Sequence, residues 1–257
     1  MDEKVKLFRS LHGQEEPLLI GNVWNAQSAK VFEAHKFKAI ATSSSAVAET
    51  LGYKDGEQMS FYEYLFVIRR IASATNLPFS VDLEMGYGAT ADAIVENILA
   101  LAKIGVVGIN IEDTRISDGK RTIRDTQEFS SLLKSIVASL KAMGTPMFIN
   151  VRCDAFLLGL ADALGEATKR TDQYQQTGVD GLFFPFVTRL DDIRALTRTS
   201  KLPVNVMCMP ELPDFKSLKE SGVKRISMGN FVNKKVYHEL DVSLSTVVNA
   251  QSFNSLF

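Results

Sequence analysis

Short β-rich runs alternate with longer amphipathic stretches along nearly the whole chain, and nothing else in the sequence narrows its folding options as much. Strand-like runs occur at residues 18–24, 39–44, 79–84, 107–113, 147–154, 181–186, 203–208 and 225–229. Between them lie helical patterns at 26–35, 61–74, 91–104, 126–143 and 162–177, with Gly105, Gly144, Gly178 and Gly222 as helix-ending residues. Parallel neighbours need a crossover, so strands separated by helices point to stacked βα units. Eight such units predict a (β/α)₈ TIM barrel. A doubly wound open sheet is the competing architecture. It would want a glycine-rich phosphate turn after its first strand, which Gly21-Asn22-Val23-Trp24-Asn25 does not supply. The 257 residues, 46% of them apolar, suit one barrel domain over 1–257, since such barrels run to roughly 250 residues.

Charge and composition remove several partner classes. Formal net charge is −1, with no basic stripe and no apolar run of bilayer length, so neither nucleic acid nor membrane partners are expected. The start, Met-Asp-Glu-Lys-Val-Lys, lacks the apolar stretch of a signal peptide. Cys153 and Cys208 each fall in an apolar run, which suits a cytoplasmic location and predicts two buried small hydrophobes. His12, His35 and His238 lie outside the strand ends and are expected on the surface or on helices.

A barrel gathers its chemistry at the C-terminal ends of its strands. Residues 81–88 read Val-Asp-Leu-Glu-Met-Gly-Tyr-Gly: Asp82 and Glu84 share a face if the strand continues, and Gly86 and Gly88 let the backbone turn towards a ligand. Hard cations such as Mg²⁺ take oxygen ligands and keep waters, so one or two carboxylates suffice. Other strand ends offer Thr42, Ser43, Ser44 and Ser45; Asn110, Glu112 and Asp113; Asn150, Arg152 and Asp154; and Asn205. Arg152 is either a structural ion pair or a bidentate clamp for a substrate carboxylate, and the amides of Ser43 and Ser44 are candidate oxyanion donors. Trp24 is either core packing or an aromatic lid. The polar segment 114–124, with Arg115, Lys120 and Arg121, reads as a gating loop or a solvated connection.

Four stretches together carry a resemblance: Leu51-Gly-Tyr-Lys-Asp55, Asp82-Leu-Glu-Met-Gly-Tyr-Gly88, Gly108-Ile-Asn-Ile-Glu-Asp113 and Ile149-Asn-Val-Arg-Cys-Asp154. In this order the chain resembles the isocitrate lyase/phosphoenolpyruvate mutase superfamily from Gly21 to about Gly229. The resemblance implies Mg²⁺, with Mn²⁺ as the alternative ion. Asp82 would be its direct ligand, Glu84 and Glu112 would hold it directly or through water, and Asp55 would lie in its outer shell. It also implies Arg152 on a substrate carboxylate and Ser43 and Ser44 as substrate contacts. Asn205 and Trp24 join them as substrate-binding candidates, and Lys120 joins Arg152 as a catalytic one. Members of the superfamily cleave or rearrange a C–C or P–C bond beside an α-oxocarboxylate through enolate-like intermediates. The isocitrate and methylisocitrate lyases carry Lys-Lys-Cys-Gly-His after the fourth strand, whereas here the segment is Thr114-Arg-Ile-Ser-Asp-Gly-Lys-Arg-Thr122. Without that thiol as general acid, ordinary isocitrate lyase activity is not expected. The aromatic residue before the Ser-Gly of strand 2 is Ala41 here and the glycine is Ser44, which points to a substrate of different shape.

Three readings follow: a Mg²⁺-dependent lyase-type enzyme acting on the C–C bond of a small α-oxo or hydroxy carboxylate, a phosphoenolpyruvate mutase or phosphonopyruvate hydrolase, and a silent carboxylate-binding barrel. The resemblance further implies a homodimer or homotetramer in which a C-terminal helix over about 233–251 swaps between subunits.

Overall fold

A computed structural model describes residues 2–117 and 119–257; Met1, and Asp118 within the predicted 114–124 loop, lie outside the described residues. In chain order the strands are β1 (Leu18–Val23), β2 (Ile40–Thr42), β3 (Phe79–Asp82), β4 (Gly108–Glu112), β5 (Thr114–Ser117), β6 (Lys120–Ile123), β7 (Phe148–Arg152), β8 (Gly181–Phe184), β9 (Val204–Met207) and β10 (Arg225–Ser227). All but β5 and β6 pair in parallel, in the order β1-β10-β9-β8-β7-β4-β3-β2, and β2 returns to β1 to close the barrel. Each of the eight predicted strands is present, and the fold is the expected (β/α)₈ barrel. The strands read as apolar runs because both faces are covered: Ile109 and Ile111 of β4 are buried beneath helices, and Asn110 is buried inside the barrel.

The helices are α1 (Asp2–Leu11), α2 (Ala26–Ala34), α3 (Ser44–Thr50), α4 (Phe61–Ala72), α5 (Ala91–Lys103), α6 (Thr126–Ala142), α7 (Ala163–Tyr174), α8 (Leu190–Thr199), α9 (Phe215–Glu220) and α10 (Phe231–Ala250). Their starts are set by local chemistry. Ser60 and Glu63 form a reciprocal capping box on α4, while Thr90 and Asp125 accept backbone N–H groups at the starts of α5 and α6. No described helix is long and apolar enough to cross a membrane.

Helix α1, not anticipated from the sequence, closes the barrel's N-terminal mouth by burying Val5, Phe8 and Leu11 against Leu18, Ile20 and Phe148. His12 follows it and corrects the surface expectation: it is 3% exposed, its ring stacked on Phe148 with centroids 4.2 Å apart. Cys153 is buried as expected, but Cys208 is exposed, because β9 ends at Met207 and the chain turns outward. Segment 114–124 is also not a structureless loop: β5 and β6 pair antiparallel as a hairpin rising from the end of β4, with Arg115 opposite Thr122 and Ile116 opposite Arg121.

Candidate active site

The C-terminal end of the barrel carries a cavity of about 240 Å³, lined on one side by Ser44, Asp55, Asp82, Asn110 and Arg152. Backbone strain clusters around it. Glu57, Glu84, Tyr87 and Phe186 all hold positive φ (58°, 49°, 54° and 67°), a conformation bulky side chains adopt only where the surroundings enforce it. A groove of about 420 Å³ on the opposite face, bridged by the Arg9–Asp180 ion pair, gathers no comparable set of carboxylates.

Asp82, the last residue of β3, receives a 2.7 Å hydrogen bond from Ser44 Oγ on Oδ2, while its Oδ1 is buried without a partner. Glu112, the last residue of β4, accepts from Thr114 Oγ1 at 2.7 Å and from Arg121 Nη1 on Oε1. Its Oε2 is 3.0 Å from Arg152 Nη1 yet accepts no aligned hydrogen bond. Arg152 closes β7 and gives its Nε to Asp154 Oδ1 at 2.6 Å; Asp154 Oδ2 is buried and unpartnered. Burial opposes the Arg152 charge, but Asp154 and Asp82 beside it outweigh that and hold the guanidinium protonated. Arg121 reaches in from β6 to touch Glu112 and, at 3.1 Å, Asp55, with Asp154 3.8 Å away.

Asp55, Asp82, Glu84, Glu112 and Asp154 therefore outnumber Arg121 and Arg152 in one small volume. Asp82 and Asp154 each keep an orphaned, buried oxygen and Glu112 Oε2 meets only the Arg152 charge, a set of oxygen donors of the kind a hard divalent ion accepts. Among the described residues no three carboxylate, imidazole or thiol groups close into a complete cage. The arrangement thus fits an ion that keeps waters and takes one or two protein carboxylates directly.

Several expected roles change in space. Strand β3 ends at Asp82 and Glu84 turns into the left-handed region, so the two do not alternate onto one face. Glu84 is 2% exposed and lies off the cavity lining; its oxygens accept from the amides of Gly56 and Glu57, each at 2.9 Å, and from Tyr87 OH at 2.8 Å. Its carboxyl is pushed up to about 7, first by burial and then by Asp55 and Asp82. A Cβ at Gly86, φ 109°, would strike Ile94 at 2.7 Å, so the turn that carries Glu84 past the strand end requires glycine there. Ser43 lines the cavity, but its amide bonds Val23 O at 3.0 Å and its hydroxyl caps α3, so the Ser43 amide is not offered to an oxyanion.

Asn205 sits deeper, in a network below the cavity. Asn150 Nδ2 donates to Asn110 Oδ1 at 3.0 Å and Asn205 Oδ1 at 3.2 Å, while Asn205 Nδ2 reaches Ser227 Oγ. Trp24 packs in the core, 8% exposed, off the cavity lining. Lys120 is exposed beside the hairpin turn, and Arg121 is the hairpin cation that reaches the carboxylates. The sequence offered no signal for Glu57, whose carboxylate accepts from the Tyr87 amide at 2.7 Å, or for Phe183, Phe186, Met207 and Phe231, which form the cavity's other side and look like ordinary core residues in a sequence.

Comparison with known proteins finds relatives over most of the chain. Residues 8–248 match the family model described as phosphoenolpyruvate phosphomutase. The 2-methylisocitrate lyase of Escherichia coli is 29% identical over 77% of this chain and 68% of its own length. An oxaloacetate decarboxylase from Bradyrhizobium is 28% identical over 80% of this chain and 71% of its own. Among solved structures, a Burkholderia cenocepacia protein provisionally named a phosphonomutase is 38% identical and superposes with a TM-score of 0.89 over 95% of this chain and 99% of that one. A phosphonopyruvate hydrolase solved with oxalate and Mg²⁺, 19% identical, shares the fold at a TM-score of 0.86 over 98% of this chain and 89% of that one.

Proposed function

The chain belongs to the phosphoenolpyruvate phosphomutase family, whose relatives include lyases, mutases and hydrolases, and from that premise we propose a Mg²⁺-dependent lyase-type enzyme. It cleaves a C–C bond in a small α-oxo or hydroxy carboxylate through an enolate-like intermediate. The observation that carries this reading is the carboxylate cluster at the strand ends, in which Asp82 Oδ1 and Asp154 Oδ2 are buried without a hydrogen-bond partner beside the Glu112–Arg152 ion pair.

Bound Mg²⁺, or Mn²⁺ in its stead, would polarise the substrate's carbonyl oxygen and offset the charge that develops there. Asp82 and Glu112 would hold the ion, with Ser44 Oγ fixing the Asp82 carboxylate and Arg121 keeping Asp55 nearby. Glu84 acts through the Gly56–Glu57 turn, which it grips by two backbone amides. Arg152 has Nε and Nη1 engaged by Asp154 and Glu112, and its Nη2 is left for the substrate carboxylate. Lys120 enters only if the hairpin closes over the cavity, a motion that would also exclude water.

P–C bond chemistry is the second reading, and it asks the hairpin to supply several cations to a phosphoryl group. Arg121 reaches the site, while Arg115 and Lys120 are exposed, which favours the C–C reading. A silent barrel would have no need of so many uncompensated carboxylates.

Calorimetric titration of Mg²⁺ into wild type and Asp82→Ala tests the metal site. Binding in the wild type and its loss in the variant, with unchanged circular dichroism, is the expected result. Equal binding in both would remove Asp82 from the site. Turnover of oxaloacetate, methylisocitrate and phosphonopyruvate with and without Mg²⁺ then separates the C–C from the P–C reading.

A further inference from the structure

The cavity has two unlike halves. Strands β2, β3, β4 and β7 bring the serines, the carboxylates and Arg152 to one side. Facing them, from the ends of β8 and β9 and the segments after β7 and β10, stand Leu157, Phe183, Pro185, Phe186, Met207 and Phe231, with Ser227, Asn230 and Lys234 as the polar groups on the β10 side. The apolar half is built with some insistence. Phe186 holds φ 67°, a costly conformation for an aromatic residue, and keeps its ring on the cavity rim at 42% exposure. Gly229 leaves room for Met207, since a Cβ there would lie 2.7 Å from the Met207 sulfur.

Cations are distributed just as unevenly. Of the cavity-lining residues only Arg152 and Lys234 are basic; Arg152 belongs to the polar half, already bound to Glu112 and Asp154, and Lys234 is exposed at the rim. A second carboxylate or a phosphoryl group set against Leu157, Phe183, Pro185 and Phe186 would have to shed water with no buried cation among the lining residues to receive it, since Arg225 lies deeper, behind Asn110, which is strongly unfavourable. An alkyl or aromatic substituent meets a matching surface and gains from the same desolvation.

We propose that the substrate presents a single carboxylate-bearing oxo or hydroxy head to the Arg152 half and an apolar, branched or aromatic substituent to the Phe186 half. This rests on the Mg²⁺-dependent reading above and narrows it: the substrate is an alkyl- or aryl-substituted oxo or hydroxy acid, and neither a tricarboxylate nor a phosphonate.

The test uses three ligands on the full chain with saturating Mg²⁺, followed by calorimetry. Oxalate probes the head alone. The compounds 2-oxoglutarate and 5-methyl-2-oxohexanoate form a matched pair, in which two methyl groups take the place of the distal carboxylate oxygens. The expected result is oxalate binding together with at least about tenfold tighter binding of the methylated acid than of 2-oxoglutarate. In Phe186→Gly, which removes both the wall and the strained side chain, that ratio should fall towards one. Oxalate binding with equal or reversed affinities in the pair, or with neither member bound, overturns the apolar-substituent proposal and leaves the head-group reading standing. Absence of oxalate binding in the presence of Mg²⁺ brings down both.

Discussion

His12 has traded protonation for packing. Its ring stacks on Phe148, meets the edge of Phe8 at 4.8 Å and sets Nδ1 2.8 Å from the Phe8 carbonyl, all beneath the barrel floor. Burial, reinforced by the Arg225 charge and opposed by the Phe8 carbonyl, pushes its pKa down from 6.5 to about 3. The unfolded chain therefore binds one more proton than the folded one between those values. His12's contribution to stability is complete above pH 6.5 and declines as the pH falls towards 3, by at most about 1.4 kcal/mol per pH unit. Urea unfolding of wild type and His12→Phe at pH 7 and pH 5.5 should show wild type losing about 1 kcal/mol more than the variant, whose ring takes up no proton. Parallel losses would mean that His12 titrates normally and is not held neutral by its burial.

Among the elements around the site, the β5–β6 hairpin is tied down by one residue. Arg121 joins the hairpin to Glu112 at the barrel rim and to Asp55 in the β2–β3 connection, while Lys120 beside it is exposed. Replacing Arg121 by alanine should loosen the hairpin locally, and hydrogen exchange of the Arg115 and Thr122 amides, which face each other across it, should quicken by about tenfold, the effect of roughly 1.4 kcal/mol. Lys120→Ala should leave those rates unchanged; equal rates in both variants would show that the ion pairs do not hold the hairpin. The hairpin was hidden in the sequence because polar residues in 114–124 alternate too weakly to announce strands exposed on both faces. Helix α3 was hidden for a related reason, since Ser43 to Ser45 read as a polar strand end and not as a cap followed by a first turn. The barrel strands were legible because burial on both faces leaves an unmistakable apolar run, as at Val107 to Ile111. Asp82, Glu112 and Arg152 stood out because charge at the end of such a run has no packing explanation. The apolar half of the cavity did not, because Phe183 or Met207 at a strand end looks no different from core.

After the last barrel strand comes a helix, α10, that its own barrel scarcely covers, followed by a short 3₁₀ turn at Asn254–Leu256. Twenty residues of α10 extend about 30 Å, yet Asn233 near its start is the only buried one. Val236, Tyr237, Leu240, Val242, Leu244 and Val248 are each 45% to 63% exposed along it. So large an apolar surface is unusual on an isolated chain and normally marks a contact face. All of them but Val242 fall within an arc of about 120° of the helix, one continuous apolar face of the kind that packs against a partner. We propose a second copy of this chain as that partner, in a homodimer or a homotetramer built from dimers, with α10 laid across the neighbouring subunit. Phe231 and Lys234, at the start of the same helix, line the cavity, so assembly would also steady the mouth of the site. Sedimentation velocity at micromolar concentration should give a dimer or tetramer, and Leu240→Glu together with Leu244→Glu should shift it to monomer by burying charge in the contact. Monomeric wild type would refute the assembly. An oligomer untouched by the double substitution would move the contact to another face and leave α10 solvated.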